Sequence, residues 1–153
     1  MSAASNYLEN EVLDHVLGET ARNYTPSSAL HIALFSGTNS DVLAALEAGT
    51  NSTSGTGNWG HYEINAGGYA RKPANFAAAS GGASALDGDV TFTTANANYN
   101  NAATSGSTVT CIAVLDAATS GNVLFYGALD NAKEILNGDT FQVSSGNLTI
   151  SLA

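Results

Sequence analysis

Two short apolar runs in the second half of the chain constrain its fold most strongly. Residues 109–115 and 123–129 are apolar at nearly every position and lack the polar–apolar alternation of a strand with one face in water. Runs of this kind are typical of central strands that are buried on both faces. The residues between them include the turn-forming sequence TSGN at 119–122. The two runs therefore predict a β-hairpin at the centre of a sheet.

Further strand patterns recur along the chain, separated by turn residues. They lie at residues 29–35, 69–76, 90–93, 141–143 and 148–152. Pro73 predicts that its strand is an edge strand, because proline has no backbone N–H to donate to a neighbour. The last pattern predicts that the end of the chain is tied into the sheet. Short strands at this spacing favour an antiparallel sandwich over alternating β-α units.

The N-terminal segment has helical spacing instead. Its apolar residues recur every three or four positions, at Leu8, Val12, Leu13, Val16 and Leu17. Asn6 and Glu9 have the spacing of a capping box, and Gly18 suits the end of a helix. The pattern predicts an amphipathic helix over residues 7–17, with its acidic side chains on the outer, solvated face. These acidic residues are Glu9, Glu11 and Asp14.

A second, shorter helix is predicted over residues 40–48, between a possible cap at Ser40 and a stop at Gly49. The predicted fold is thus mainly β: an antiparallel β-sandwich with an N-terminal amphipathic helix and one further short helix. We expect a single domain over residues 1–153, with the helix in 1–18 and the sandwich in 19–153. Residues 50–60 and 94–107 are rich in Asn, Ser, Thr and Gly, and predict surface loops that bury little.

The charge of the chain limits its partners. It carries 4 Lys and Arg against 13 Asp and Glu, a formal net charge of -9. Few cations are therefore present to displace counterions from phosphates, and no nucleic acid partner is expected. No apolar run approaches the ~20 residues of a membrane helix, so no membrane partner is expected either. The single cysteine, Cys111, lies in an apolar run and is expected to be a buried, unreactive thiol.

Motifs of catalysis and cofactor binding are missing from the sequence. Neither the nucleophile elbow G-x-S-x-G nor the phosphate loop G-x-x-x-x-G-K-[ST] occurs. The three histidines, His15, His31 and His61, lack the short spacing of a zinc site. We therefore expect no catalytic residue, no cofactor and no metal. A small hydrolase that uses Asp116 and Asp139 as a carboxylate pair is an alternative.

An aromatic edge follows the first polar loop. We give this name to Trp59, Tyr62, Tyr69 and Arg71, which are residue types enriched at interface hot spots. They predict a surface that docks a protein or stacks on a sugar. In the alternative interpretation, Trp59 and Tyr69 cap the core of the sandwich.

Several short segments together resemble a known family. They are SNYLEN at residues 5–10, LDHVL at 13–17, HIALF at 31–35, GYAR at 68–71, LDAA at 115–118 with GNVL at 121–124, and GDTF at 138–141 with GNLT at 146–149. In this order they resemble small virion structural proteins of tailed bacteriophages, whose members are head decoration or tail-fibre-like proteins. The predicted polar loops at residues 50–60 and 94–107 fit the pattern of this family poorly.

The resemblance implies a non-enzymatic virion protein. It favours a capsid decoration, or cement, protein on the capsid exterior that bridges subunits of the major capsid protein after assembly in the host cytoplasm. A tail or tail-fibre component is the first alternative, and a carbohydrate-binding module is the second. The implied partners are the major capsid protein and further copies of the chain, as a dimer or trimer. The predicted contact surfaces are the aromatic edge and the helix, at Tyr7, Leu8, Val12 and Val16.

Overall fold

The computed structural model describes residues 3–17, 27, 29–48, 50–101 and 106–151, and its centre is a five-stranded antiparallel sheet. In chain order the strands are β1 (Ala3–Ala4), β2 (Leu30–Phe35), β3 (Lys72–Ala74), β4 (Ala83–Ala85), β5 (Val90–Thr91), β6 (Thr108–Leu115), β7 (Val123–Glu134), β8 (Gln142–Val143) and β9 (Thr149–Ser151). The central sheet has the order β1-β7-β6-β2-β3. The predicted edge position of Pro73 is confirmed, because β3 is an outer strand of this sheet.

The predicted central hairpin is formed by β6 and β7. The Asp116 carboxylate closes its turn by accepting hydrogen bonds from the backbone N–H of Asn122 at 2.7 Å and from its Nδ2 at 2.8 Å. Ser120 and Gly121 have positive φ angles of 55° and 76°, a region that glycine enters at little cost. Strand β7 continues to Glu134, beyond the predicted end at residue 129, and its last residues are exposed.

Helices cover one face of the central sheet. They are α1 (Asn6–Leu17), α2 (Asn39–Ala48) and a 3₁₀ turn at Trp59–His61. The sheet and the helical layer share one buried cluster: Ala33, Phe35, Val42, Ala45, Leu46, Trp59, Tyr62, Cys111, Ala113, Leu115, Val123 and Tyr126. Side chains of β2 alternate between the two faces, so Ala33 and Phe35 point to the helices while Ile32 and Leu34 point away.

Two small antiparallel sheets, β4-β9 and β5-β8, lie across the other face. A second cluster fills the space between them and the central sheet: Ile32, Leu34, Ile64, Ala74, Leu86, Val90, Phe92, Ala95, Tyr99, Val109, Ile112 and Ile135. The hairpin strands are apolar on both faces because both faces are covered. The mainly β, antiparallel sandwich with two helices is therefore confirmed. Within the described residues, neither helix is long and apolar enough to span a membrane.

Three local predictions are wrong. The last strand, β9, pairs with β4 in a small sheet and not with the central sheet. The loop predicted over residues 94–107 buries Ala95, Tyr99 and Asn101, because Tyr99 inserts its ring into the second cluster and donates its phenol hydrogen to Thr93 O at 2.8 Å. Helix α1 begins one residue early, and its cap is Ser5 instead of Asn6. Gly18, Gly49 and the end of the pattern at residue 152 lie outside the described residues.

Candidate functional site

The start of α1 is fixed to the central sheet by Ser5, which is fully buried. Its backbone N–H donates to Leu124 O at 3.0 Å, and its hydroxyl donates to Val123 O. The same hydroxyl accepts a hydrogen bond from the N–H of Leu8 at 3.4 Å, as an N-cap residue does. Because Ser5 is bound to β7 and to the helix at once, the direction in which α1 leaves the sheet is set.

The orientation of α1 differs from the predicted one. Leu8 is buried with 6% exposure, and the side chains of Tyr7, Glu11 and Asp14 are partly buried against the body of the protein. Val12, Leu13, Val16 and Leu17 are exposed by 39%, 54%, 71% and 74%. We call these four residues the apolar stripe. The acidic face predicted to be outermost thus faces the protein in part, and the apolar stripe faces solvent.

Acidic side chains on both helices influence each other's titration. Burial raises the pKa of Glu47 on α2, and the charge of Glu9 on α1 raises it further. Burial also raises the pKa of Tyr7, to which the charges of Glu11 and Asp116 add. The region where α1 meets α2 and the β6–β7 turn is therefore acidic.

The aromatic edge lies mostly in the core. Trp59 is fully buried and meets the ring of Phe35 edge-on, with 6.4 Å between ring centroids. Its indole Nε1 has no hydrogen-bond partner among the described residues, so packing holds the ring in place. Tyr62 is 4% exposed and donates its phenol hydrogen to Thr56 O at 3.0 Å. The contact role predicted for these residues stays a prediction, and their burial favours the alternative in which they cap the core.

Arg71 and Glu63 form an ion pair beside Trp59. Arg71 Nε lies 2.7 Å from Glu63 Oε1, and Nη2 lies 2.8 Å from Oε2, with side chains only 5% and 16% exposed. The guanidinium carbon lies 5.3 Å from the Trp59 ring centroid, within cation–π range. Burial alone would lower the pKa of Arg71, but the hydrogen bond and charge of Glu63 outweigh it and the pKa is raised.

The same guanidinium holds the β6–β7 turn. Nη1 donates to Ala117 O at 3.0 Å and to Ser120 O at 2.6 Å. Tyr69 joins the network by donating to Glu63 Oε1 at 3.1 Å and accepting from the N–H of Leu34 at 3.1 Å. Burial, and next the charge of Glu63, raise the pKa of the Tyr69 phenol well above its usual value. Four of the five N–H donors of Arg71 are therefore bound to internal partners, and the residue has a structural role in this conformation.

The carboxylates considered for hydrolysis are not brought together. Asp116 lies at the turn end of β7, whereas Asp139 follows the far end and accepts a hydrogen bond from the N–H of Leu136 at 3.0 Å. A 12-residue strand separates them, roughly 35–40 Å if fully extended, against about 5–10 Å in a glycosidase. In the described part of the chain, no group of three His, Cys, Asp or Glu side chains could hold a metal ion.

The predicted burial of Cys111 is confirmed. Its side chain is fully buried in the cluster under the helices. Burial raises the pKa of the thiol, although a hydrogen bond with Thr110 opposes the shift. A thiol that is both buried and protonated is a poor nucleophile.

A groove between β7 and β9 was not predicted. It has a volume of about 160 Å³, and Ile112, Phe125, Leu129, Leu148 and Ile150 are among its lining residues. This volume is close to that of an apolar cavity that accommodates benzene. The sequence gives no signal for the groove, because its two sides come from strands that are distant in the chain and do not pair with each other.

The fold and surface together define a small, mainly β protein. Its candidate catalytic residues Asp116 and Asp139 bind backbone N–H groups in turns, and Cys111 lies in the core. Among the described residues, its most exposed large apolar side chains lie on one face of α1. Residues 3–151 match the family model described as podophage GP4 fiber I protein gp80, and the chain belongs to this family. No curated protein gives a significant match to the chain. The family confirms the resemblance to phage virion structural proteins.

Proposed function

We propose that this protein is a structural component of a phage tail fibre. The observation that carries the proposal is the family match, which extends over residues 3–151 and so includes both helices and every strand. The name of the family contains the word fiber, and the first alternative from the sequence, a tail or tail-fibre component, agrees with it.

The structure supports a role in assembly instead of catalysis. Arg71, Glu63 and Asp116 are engaged in hydrogen bonds that hold turns and strands, so they are not free for a substrate. The apolar stripe of α1 is exposed on a helix whose start is firmly fixed. A fibre contains many contacts between subunits, and even weak contacts hold when linkage raises their effective concentration.

The reading as a capsid decoration protein has less support. It would place the protein on the capsid exterior and make the major capsid protein its partner, and the family name refers to neither. The carbohydrate-binding alternative depended largely on Trp59, whose ring is fully buried and offers no face to a sugar.

The test is to locate the protein on intact particles. An epitope tag is inserted after Gly81, and in a second variant after Gly146, because both glycines lie in turns with open space around the Cβ position. Immunogold electron microscopy is expected to label the tail fibres in both variants and to leave the shell unlabelled. Label distributed over the capsid, or particles that lack the protein, would refute the proposal.

A further inference from the structure

The connection between β7 and β8 contains Asn137 and Gly138, the one Asn–Gly pair in the sequence. Asparagine is among the chemically labile residues, and it is most labile before glycine, because no side chain hinders attack by the next backbone nitrogen. Both residues are exposed, and a Cβ added at Gly138 would meet no atom within 4 Å. Sequence and exposure alone therefore predict rapid deamidation at Asn137.

Deamidation at such a pair starts from the backbone. The deprotonated nitrogen of Gly138 attacks Cγ of Asn137, the bond between Cγ and Nδ2 breaks, and the side-chain nitrogen leaves as ammonia. Water then opens the resulting succinimide ring at one of its two carbonyl carbons, which gives aspartate or isoaspartate. The reaction needs no reagent other than water, but the N–H of Gly138 has to be free and its nitrogen has to reach the side chain.

The structure holds this N–H in a hydrogen bond to the core. Gly138 N–H donates to Ala95 O at 2.8 Å, and Ala95 N–H donates to Asp139 O at 2.8 Å. Ala95 is 2% exposed and belongs to the second cluster, so this reciprocal pair of bonds joins an exposed turn to the interior. Attack by the Gly138 nitrogen would break one of the two bonds and take the donor from the carbonyl of a buried residue, which is costly.

The neighbouring N–H groups of the turn are held as well. Leu136 N–H donates to Asp139 Oδ2 at 3.0 Å, and Asn137 N–H donates to Asn98 Oδ1 at 3.0 Å. Asp139 N–H closes the turn on Leu136 O at 3.0 Å. All four consecutive N–H groups from residue 136 to residue 139 thus donate hydrogen bonds. The Gly138 nitrogen therefore reaches the Asn137 side chain only if the turn opens.

We propose that Asn137 is a deamidation site that the folded turn protects, and that it reacts when the turn opens or the chain unfolds. Isoaspartate at this position would lengthen the backbone by one atom, so the hydrogen bonds of the turn could not all form again. Either product would also place a second carboxylate two residues from Asp139. The turn thus guards against a change that refolding does not reverse, and this protection does not depend on the proposed fibre role.

The first experiment compares the folded chain with the chain unfolded in guanidinium chloride, both incubated in mildly alkaline buffer. Peptide mass spectrometry measures the loss of Asn137 and the formation of aspartate and isoaspartate. We expect the folded protein to react at least about tenfold more slowly at Asn137, because the reaction then requires local opening. In the unfolded chain, Asn137 should react before the other asparagines. Folded and unfolded rates within about twofold of each other would overturn the proposal.

The second experiment loosens the turn without unfolding the protein. Asn98→Ala removes the acceptor of Asn137 N–H, and should raise the ratio of the folded to the unfolded rate at Asn137 at least about threefold. The matched control is Asn131→Ala, the same change at an exposed position of β7, which should leave this ratio unchanged. Circular dichroism checks that both variants are folded.

Hydrogen exchange of the wild-type protein gives a check that needs no variant. The amide of Gly138 should exchange slowly although the turn is exposed, because its N–H is held by the carbonyl of Ala95. Exchange at the rate of an unfolded chain would overturn the proposal, and so would an Asn98→Ala variant that stays folded and reacts no faster at Asn137 than the wild-type protein.

Discussion

Removing Arg71 is the most informative test of what holds the fold together. Arg71→Met keeps an apolar stem but deletes the guanidinium, which contacts Glu63, the carbonyls of Ala117 and Ser120, and the Trp59 ring. The side chain is 5% exposed, so water cannot replace these contacts without opening the structure.

The size of the effect follows from the parts of this network. Breaking a buried ion pair by removing one partner costs about 3–5 kcal/mol, because the other charge stays buried without compensation. Because Glu63 is 16% exposed, we expect the cost of breaking the ion pair to lie near the lower end of this range. Each carbonyl that loses its donor adds about 1 kcal/mol, and the cation–π contact adds about 1 kcal/mol. Since such contributions are not additive, we expect the free energy of unfolding to fall by about 4 kcal/mol.

The assay is urea unfolding followed by the fluorescence of Trp59, with the slope of the transition checked for constancy. Lys72→Met is the matched control, because it deletes a positive charge at the next residue, where the ammonium group donates to the exposed Thr93 hydroxyl at 2.8 Å. Lys72→Met should lower the free energy of unfolding by less than about 1 kcal/mol. The double variant Arg71→Met with Glu63→Gln should be more stable than Arg71→Met alone, since no unpaired carboxylate is left buried.

Two results would refute this reasoning. The first is a loss below about 1 kcal/mol for Arg71→Met, which would mean that water solvates Glu63 in its place. The second is a double variant whose loss equals the sum of the two single losses, because residues in one network must show a coupling energy.

Three further predictions concern the turn, the acidic patch and the thiol. Gly121→Ala should lower the free energy of unfolding in urea by at least about 2 kcal/mol more than Gly138→Ala does. Both residues have positive φ, but only at Gly121 would the new Cβ overlap the Asp116 carboxylate. Equal losses of stability would show that the turn can relax. Burial raises the pKa of Glu47, so the folded protein holds this proton more tightly than the unfolded chain and loses stability as the pH rises through the folded pKa. Glu47→Gln should therefore raise the melting temperature at pH 7, with the gain disappearing below pH 4.5, the ordinary value, and a gain independent of pH would contradict this cause. Cys111 should react with a thiol reagent in urea but not in the folded protein, and rapid labelling of the native protein would show that the cluster under the helices opens.

The strands could be predicted because their signals are local. The runs at 109–115 and 123–129 are apolar on both faces whatever their tertiary neighbours are. The turn residues between them permit one tight connection. Pro73 at an edge follows from its missing N–H in the same way. The pairing of β9 with β4 could not be predicted, because a three-residue strand carries too little pattern to choose its neighbour.

The aromatic residues show the limit of composition as a guide to function. Trp59 and Arg71 are enriched at interfaces, yet here the ring lies under the guanidinium and both are withdrawn from solvent. Glu63 decides this outcome, because it neutralises Arg71 inside the protein. Nothing near Glu63 in the sequence identifies it as that partner, since ion pairs between separate strands and loops have no fixed spacing.

The sequence by itself determined that α1 is a helix with one apolar side and that β6 and β7 form a hairpin buried on both faces. These properties depend on neighbours along the chain. Only the tertiary structure decided which side of α1 meets the sheet, because Ser5 binds β7 and fixes the rotation of the helix. The exposure of the apolar stripe follows from that rotation.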